Sequence, residues 1–83
     1  MFLFQKYVIT YHQYIHFSTQ KTYRKALELE PKNADACNNL GILLAQRGDL
    51  EEAKGFFERA VEANPSHLSA MRNLERVKGM LGN

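Results

Sequence analysis

Two asparagines, Asn39 and Asn73, offer the most specific binding chemistry in this chain, because they occupy equivalent places 34 residues apart. An asparagine side chain carries both a carbonyl acceptor and amide donors. A column of such amides can hydrogen-bond the backbone of an extended peptide whatever the peptide's side chains are. The alternative is that asparagine is merely tolerated on an exposed helix face. We favour peptide binding.

Other residues with reactive side chains do not assemble into a catalytic or metal site. His12 and His16 have the spacing of a metal pair on a helix, but no glutamate lies between them and no third ligand is evident. Glu51 and Glu52 open a predicted helix, where negative charge is favourable. Cys37 falls in an apolar stripe and is expected to be a buried packing thiol. We therefore predict no catalytic residue, no metal, no cofactor and no enzymatic activity.

A stride of 34 residues organises the chain from residue 18 onward. Pro31 and Pro65 are separated by that stride, and each follows a helix-like segment of the same pattern. Gly48 matches Gly82 in the same register. Repeats of this length indicate stacked supersecondary units. Further matched pairs are Tyr23/Phe57, Lys25/Arg59, Ala26/Ala60, Leu27/Val61, Glu28/Glu62, Ala36/Ala70, Asn39/Asn73 and Leu40/Leu74.

The complete unit, residues 34–67, is predicted to be a helix–turn–helix, because apolar residues recur there at helical spacing. Gly48 suits the left-handed end of the first helix, and Asp49 is expected to cap the second. Proline at position 65 ends the second helix. His67, in the turn that follows, is expected to be a solvated loop residue.

These residues resemble the tetratricopeptide-repeat (TPR) family. The resemblance rests on the pair Leu40-Gly41, on small residues at Ala53 and Ala60, on the aromatic Phe57 between them and on the closing proline. It implies an all-α solenoid of helical hairpins, about 2.5 units long. Gly41 and Ala53 would let two helices approach closely, while Leu40 and Phe57 would fill the gap between neighbouring hairpins. Gly55, in mid-helix, is either a local weakness or another site of close contact.

The implied domain plan has an atypical segment, 1–17, followed by the solenoid, 18–83. The solenoid divides into the second helix of a partial repeat (18–30), the complete repeat (34–67) and a terminal helix (68–83). Six aromatic residues crowd segment 1–17. We predict a helix there that covers the open end of the stack; sequence foreign to the repeat, or a dedicated binding segment, are the alternatives. In the terminal helix, Met71, Leu74, Val77 and Leu81 form the expected apolar stripe.

In the TPR family the first helix of each hairpin lines a concave surface. The asparagines then resemble the ladder in the repeats of O-linked N-acetylglucosamine transferases. A chaperone-tail variant of the family grips a terminal carboxylate, but Ser69 and Asn73 stand where that variant needs a basic pair. Other residues expected on the concave surface are Asp35, Asn38, Ile42, Gln46, Ser69, Arg72 and Arg76. The arginines can pair with acidic groups, with a solvated charged face as the alternative.

Composition limits which other classes of function and location fit this chain. The 83 residues carry a net charge of only +2, with acidic residues interleaved among the basic ones, which argues against nucleic acid. The sequence contains no run of about 18 apolar residues, so no membrane span is predicted. The single cysteine gives no sign of an oxidising compartment, so an intracellular location is expected.

The predicted function is therefore a scaffold that binds an extended protein or peptide on the concave surface. The alternative is the truncated repeat region of a larger enzyme, such as a glycosyltransferase. Self-association through the exposed solenoid ends is a further possibility, because about three repeats are usually needed for stability.

Overall fold

The computed structural model describes residues 18–82, and within that range every regular element is an α-helix. Helix α1 comprises residues 18–29, α2 is Ala34–Gln46, α3 is Leu50–Ala63 and α4 is Leu68–Leu81. None of the helices in this range has the length and apolar character needed to cross a membrane. The prediction of an all-α helical-repeat fold is confirmed. Segment 1–17, including its predicted helix, lies outside the described residues.

Glycines end the first helix of each repeat. Gly48 and Gly82 both adopt the left-handed conformation, with φ of +88° and +82° respectively. The Asp49 amide then donates to the Leu44 carbonyl at 2.9 Å and closes the end of α2. The Asp49 side chain makes no capping hydrogen bond to α3, so that prediction was wrong. Its carboxylate lies 3.6 Å from the Arg47 guanidinium instead.

The hydrophobic core lies between the helices and is continuous across them. Helix α3 packs against both α2 and α4. Phe57 and Leu40 are among the largest fully enclosed side chains, and the burial of each contributes roughly 1.5–3 kcal/mol. Because α3 shares its apolar side chains with two neighbours, the core is completed only by stacking. The buried apolar residues are Leu27, Ala36, Cys37, Leu40, Leu44, Ala53, Phe57, Ala60, Ala70 and Val77.

Helices α2 and α3 lie close together at Gly41. A β-carbon placed there would lie 2.6 Å from Cε1 and 2.8 Å from Cδ1 of Phe57, well inside van der Waals contact. The predicted close approach at Gly41 is thus confirmed. Gly55 has no neighbour within 4 Å of a corresponding β-carbon, so close contact, one of the two alternatives for this residue, is wrong.

Helix α4 buries a slightly different stripe from the predicted one. Val77 is buried, and Leu74 and Leu81 pack partly against the core. Met71, expected in the same stripe, is 41% exposed, and Ala70 is fully buried in its place. The physical reason is rotation of the helix, since adjacent residues differ by about 100° around the axis. The rotation sets which polar residues of α4 face α2.

Candidate peptide-binding groove

The candidate groove is the surface shared by α2 and α4, which we call the α2–α4 face. On α2, residues 39, 42 and 46 share one side by their helical spacing, and on α4 the same holds for 69, 72, 73 and 76. Asn38, which precedes the α2 set, hydrogen-bonds to Ser69 and Asn73 of the α4 set and so ties the two helices together at this surface. The side chains of the face are Asn39, Ile42, Gln46, Ser69, Arg72, Asn73 and Arg76.

Asn38 joins the two helices. Its side-chain carbonyl accepts from Nδ2 of Asn73 at 3.0 Å, and its own Nδ2 donates to Oγ of Ser69 at 3.4 Å. Only 4% of Asn38 is exposed. Sequence reasoning had placed Asn38 on the binding surface, whereas the structure places it between the helices. A buried amide is stable there because both of its polar atoms have partners.

Asn39 and Asn73 are both half-buried, one on each helix. The Asn73 amide donates one N–H to Asn38, and within the described residues its carbonyl oxygen and second N–H form no hydrogen bond. In the described part of the chain, no hydrogen bond to the Asn39 side chain is formed. The two amides expected to form a ladder therefore differ. The Asn73 amide is held by a hydrogen bond, whereas the Asn39 amide is not held by one from the described residues.

The remaining residues of the α2–α4 face supply apolar and charged groups. Ile42 is half-buried, while Gln46, Ser69, Arg72 and Arg76 are exposed. Met80 extends the α4 side of the face, because it follows Ser69, Asn73 and Arg76 at helical spacing, and it is 60% exposed. Sequence reasoning missed Met80, although its place four residues after Arg76 was a sufficient signal.

His67 caps a helix, a role that the sequence analysis does not predict. Its Nδ1 accepts from the Ala70 amide at 3.2 Å and so caps α4, while Nε2 lies 2.8 Å from Oδ1 of Asp35. Only 15% of the side chain is exposed, so it is not a solvated loop residue. Asn33, which caps α2 through Ala36, stands 34 residues earlier. That equivalence was the available signal.

Cys37 is fully buried in the core, as predicted. Burial raises the pKa of its thiol, against a smaller opposing effect of the Arg59 charge. A protonated thiol without solvent access is a poor nucleophile. Across residues 18–82, no three His, Cys, Asp or Glu side chains are grouped so that they can hold a metal ion. His12 and His16 lie outside the described residues.

Comparison with known proteins agrees with this architecture. The sequence model of the tetratricopeptide repeat family matches residues 19–76. Human protein arginine N-methyltransferase 9 is 41% identical over 59 residues, which is 71% of this chain and 7% of that protein. Mouse tetratricopeptide repeat protein 14 is 37% identical over 59 residues, again 71% of this chain and 8% of that protein.

A third relative is the probable UDP-N-acetylglucosamine–peptide N-acetylglucosaminyltransferase SPINDLY of Solanum lycopersicum. It is 35% identical over 57 residues, covering 69% of this chain and 6% of that protein. The chain thus spans less than a tenth of the length of each of these three relatives. The repeat stride, the stacked helices and the matched family model together show that this chain belongs to the tetratricopeptide repeat family, whose repeats are protein-interaction modules.

Proposed function

We propose that this chain binds an extended polypeptide across the α2–α4 face. The observation that carries the proposal is the pair of amides on neighbouring first helices, Asn39 and Asn73. Both are partly exposed, and both have hydrogen-bonding groups that no residue in the range 18–82 occupies. The backbone of an extended peptide presents unpaired N–H and C=O groups along its length. Amides on two successive repeats can pair with those groups without reading the peptide's side chains.

The residues around these amides have separate roles in the proposal. Asn38 orients Asn73, because both polar atoms of the Asn38 side chain form hydrogen bonds between the helices. Ile42 offers apolar contact beside Asn39, and Gln46 and Ser69 add further hydrogen-bonding groups. Direct contact between Asn38 and a peptide stays a prediction.

The test is binding of fluorescently labelled peptides of varied sequence, measured by anisotropy with wild-type protein and with the Asn39→Ala/Asn73→Ala double variant. Loss of two hydrogen bonds of about 1 kcal/mol each is expected to weaken binding about 30-fold. Circular dichroism should show that the double variant is folded.

The matched control is Glu58→Ala/Glu62→Ala, which removes two exposed side chains of α3, away from the face. We expect this control to bind peptides like the wild type. Unchanged affinity in the double asparagine variant would remove the amides from the binding site.

A second proposal is that the chain is the repeat region of a larger enzyme. Support comes from the relatives, two of which are named as a methyltransferase and a glycosyltransferase and are much longer than this chain. In that setting the repeats recruit a partner, and the catalytic residues belong to another part of the polypeptide. Sequencing the gene beyond the codon for Asn83 tests this, since an in-frame catalytic domain is expected and an immediate stop codon would contradict it.

Self-association through the solenoid ends also stays a prediction. Its support is the exposure of Leu68 and Met71 on α4, at 62% and 41%. Light scattering over a range of protein concentrations is expected to show a rising mass, and a constant monomeric mass would contradict it. The intracellular location is likewise still a prediction.

A further inference from the structure

The five arginines of this chain divide into two groups by what they contact. Arg24 lies 2.9 Å from Glu52, and Arg47 contacts both Asp49 and Gln20. Arg59 donates to the Pro31 carbonyl at 3.3 Å and lies 5.0 Å from the centre of the Phe56 ring. Three arginines are therefore engaged within the fold.

Arg72 and Arg76 form the other group. Both are exposed, and neither makes an ion pair, a hydrogen bond or a ring contact with any residue in the range 18–82. Glu75, which is close enough in sequence to pair with Arg72, lies 3.8 Å from Lys78 instead. The one ion pair of α4 among the described residues, Glu75–Lys78, leaves out both arginines, so their charges are free to pair with another molecule.

The position of these two arginines links them to the α2–α4 face. Arg72 and Arg76 share one side of α4 with Ser69 and Asn73, the two residues that contact Asn38 of α2. They are one turn apart, about 6 Å along the axis. A guanidinium is the side chain best suited to pair with a carboxylate through two parallel hydrogen bonds.

Acidic residues beside the α2–α4 face do not cancel this charge. Asp35, in the first turn of α2, is the only acidic residue of that helix, and its Oδ1 lies 2.8 Å from Nε2 of His67. One carboxylate thus stands against two arginines, which leaves the face with a net positive charge.

We propose that the α2–α4 face selects acidic peptides, whose Asp or Glu side chains pair with Arg72 and Arg76. This selection rests on the proposed function, because the asparagines hold the peptide backbone while the arginines discriminate between side chains. Acidic peptides are bound more tightly than neutral ones of the same shape, and added salt reduces the difference by screening the charges.

The experiment compares two labelled peptides by fluorescence anisotropy, one of alternating Glu and Thr and one in which Gln replaces every Glu. The acidic peptide is expected to bind about 10-fold more tightly at low salt, as charge-assisted hydrogen bonds contribute more than neutral ones. Arg72→Gln/Arg76→Gln should remove the preference, so that the acidic and the neutral peptide bind with equal affinity. These exposed side chains support no contact in the described fold, so the variant should fold normally.

Two control variants separate this proposal from the proposed function. Arg47→Gln lowers the net charge by one without touching the α2–α4 face and is expected to keep the preference. Asn39→Ala/Asn73→Ala is expected to weaken both peptides alike. Equal binding of the two peptides would overturn the acidic selection and leave the peptide-binding face intact, whereas failure of both peptides to bind would overturn both proposals.

Discussion

Replacing Gly41 with alanine is expected to destabilise the protein by about 2 kcal/mol, although alanine is the better helix former. The new methyl group would lie 2.6 to 3.0 Å from three ring atoms of Phe57, where optimal carbon contacts are about 3.5–4.0 Å. Phe57 is only 2% exposed and has little room to move. Overpacking typically costs about 1–3 kcal/mol, and the crowding here places Gly41 at the upper end. Alanine recovers about 1 kcal/mol through helix propensity.

Gly55→Ala is the matched control. Gly55 lies inside helix α3 and has no neighbour within 4 Å of an added β-carbon. Only the propensity difference acts there, so Gly55→Ala is expected to stabilise the protein by about 1 kcal/mol. The two alanine variants should differ by about 3 kcal/mol, a value in which helix propensity cancels and the clash with Phe57 remains.

The assay is urea unfolding followed by far-UV circular dichroism, with stabilities compared at a common slope. A double-mutant cycle with Phe57→Leu identifies the clashing group, since a smaller side chain should relieve the cost of Gly41→Ala by at least about 1 kcal/mol. If the Gly41 and Gly55 variants were equally stable, or if Phe57→Leu gave no relief, the steric account of the α2–α3 contact would be refuted.

Three further predictions concern single side chains. His67→Ala is expected to lower the free energy of unfolding by about 1 kcal/mol, because it removes the cap of α4. His67→Asn should cost less in the same urea assay, since asparagine is the residue that caps α2 at Asn33. Equal losses of stability in the two variants would count against capping. Asn38→Ala should destabilise the protein by about 1–2 kcal/mol because Asn73 and Ser69 lose their hydrogen-bond partner. Asn39→Ala should cost under about 0.5 kcal/mol. If Asn39→Ala cost more than Asn38→Ala, the assignment of Asn38 as the residue that joins the helices would be wrong. Burial raises the folded pKa of Cys37, so the stability contributed by its protonated thiol is fully present below the pKa of the unfolded thiol and is lost as pH rises from there through the higher folded pKa. Unfolding measured from neutral to alkaline pH should show this loss in the wild type and a smaller one in Cys37→Ala, and identical profiles would contradict it.

The repeated hairpin was predictable from the sequence, because a core shared between stacked units needs the same residue types at the same stride. Small residues are needed where backbones meet, so Gly41 could be recognised before its contact with Phe57 was known. Glycine at position 48 could be placed in a left-handed turn for a similar local reason. Cys37 could be assigned to the core because the apolar stripe around it has helical spacing.

The roles of individual polar side chains were decided only by tertiary structure. Asn38 and Asn39 are identical in chemistry and adjacent in sequence, yet Asn38 is hydrogen-bonded between the helices and Asn39 has no side-chain hydrogen bond to any described residue. About 100° of helical rotation separates them, and only the position of α4 determines which one meets Asn73. His67 likewise required both the start of α4 and Asp35 of α2 to be in place before its two ring nitrogens found partners. Periodicity reports which side of a helix is apolar, whereas hydrogen bonding between repeats depends on the rotation and spacing of helices that the pattern does not contain.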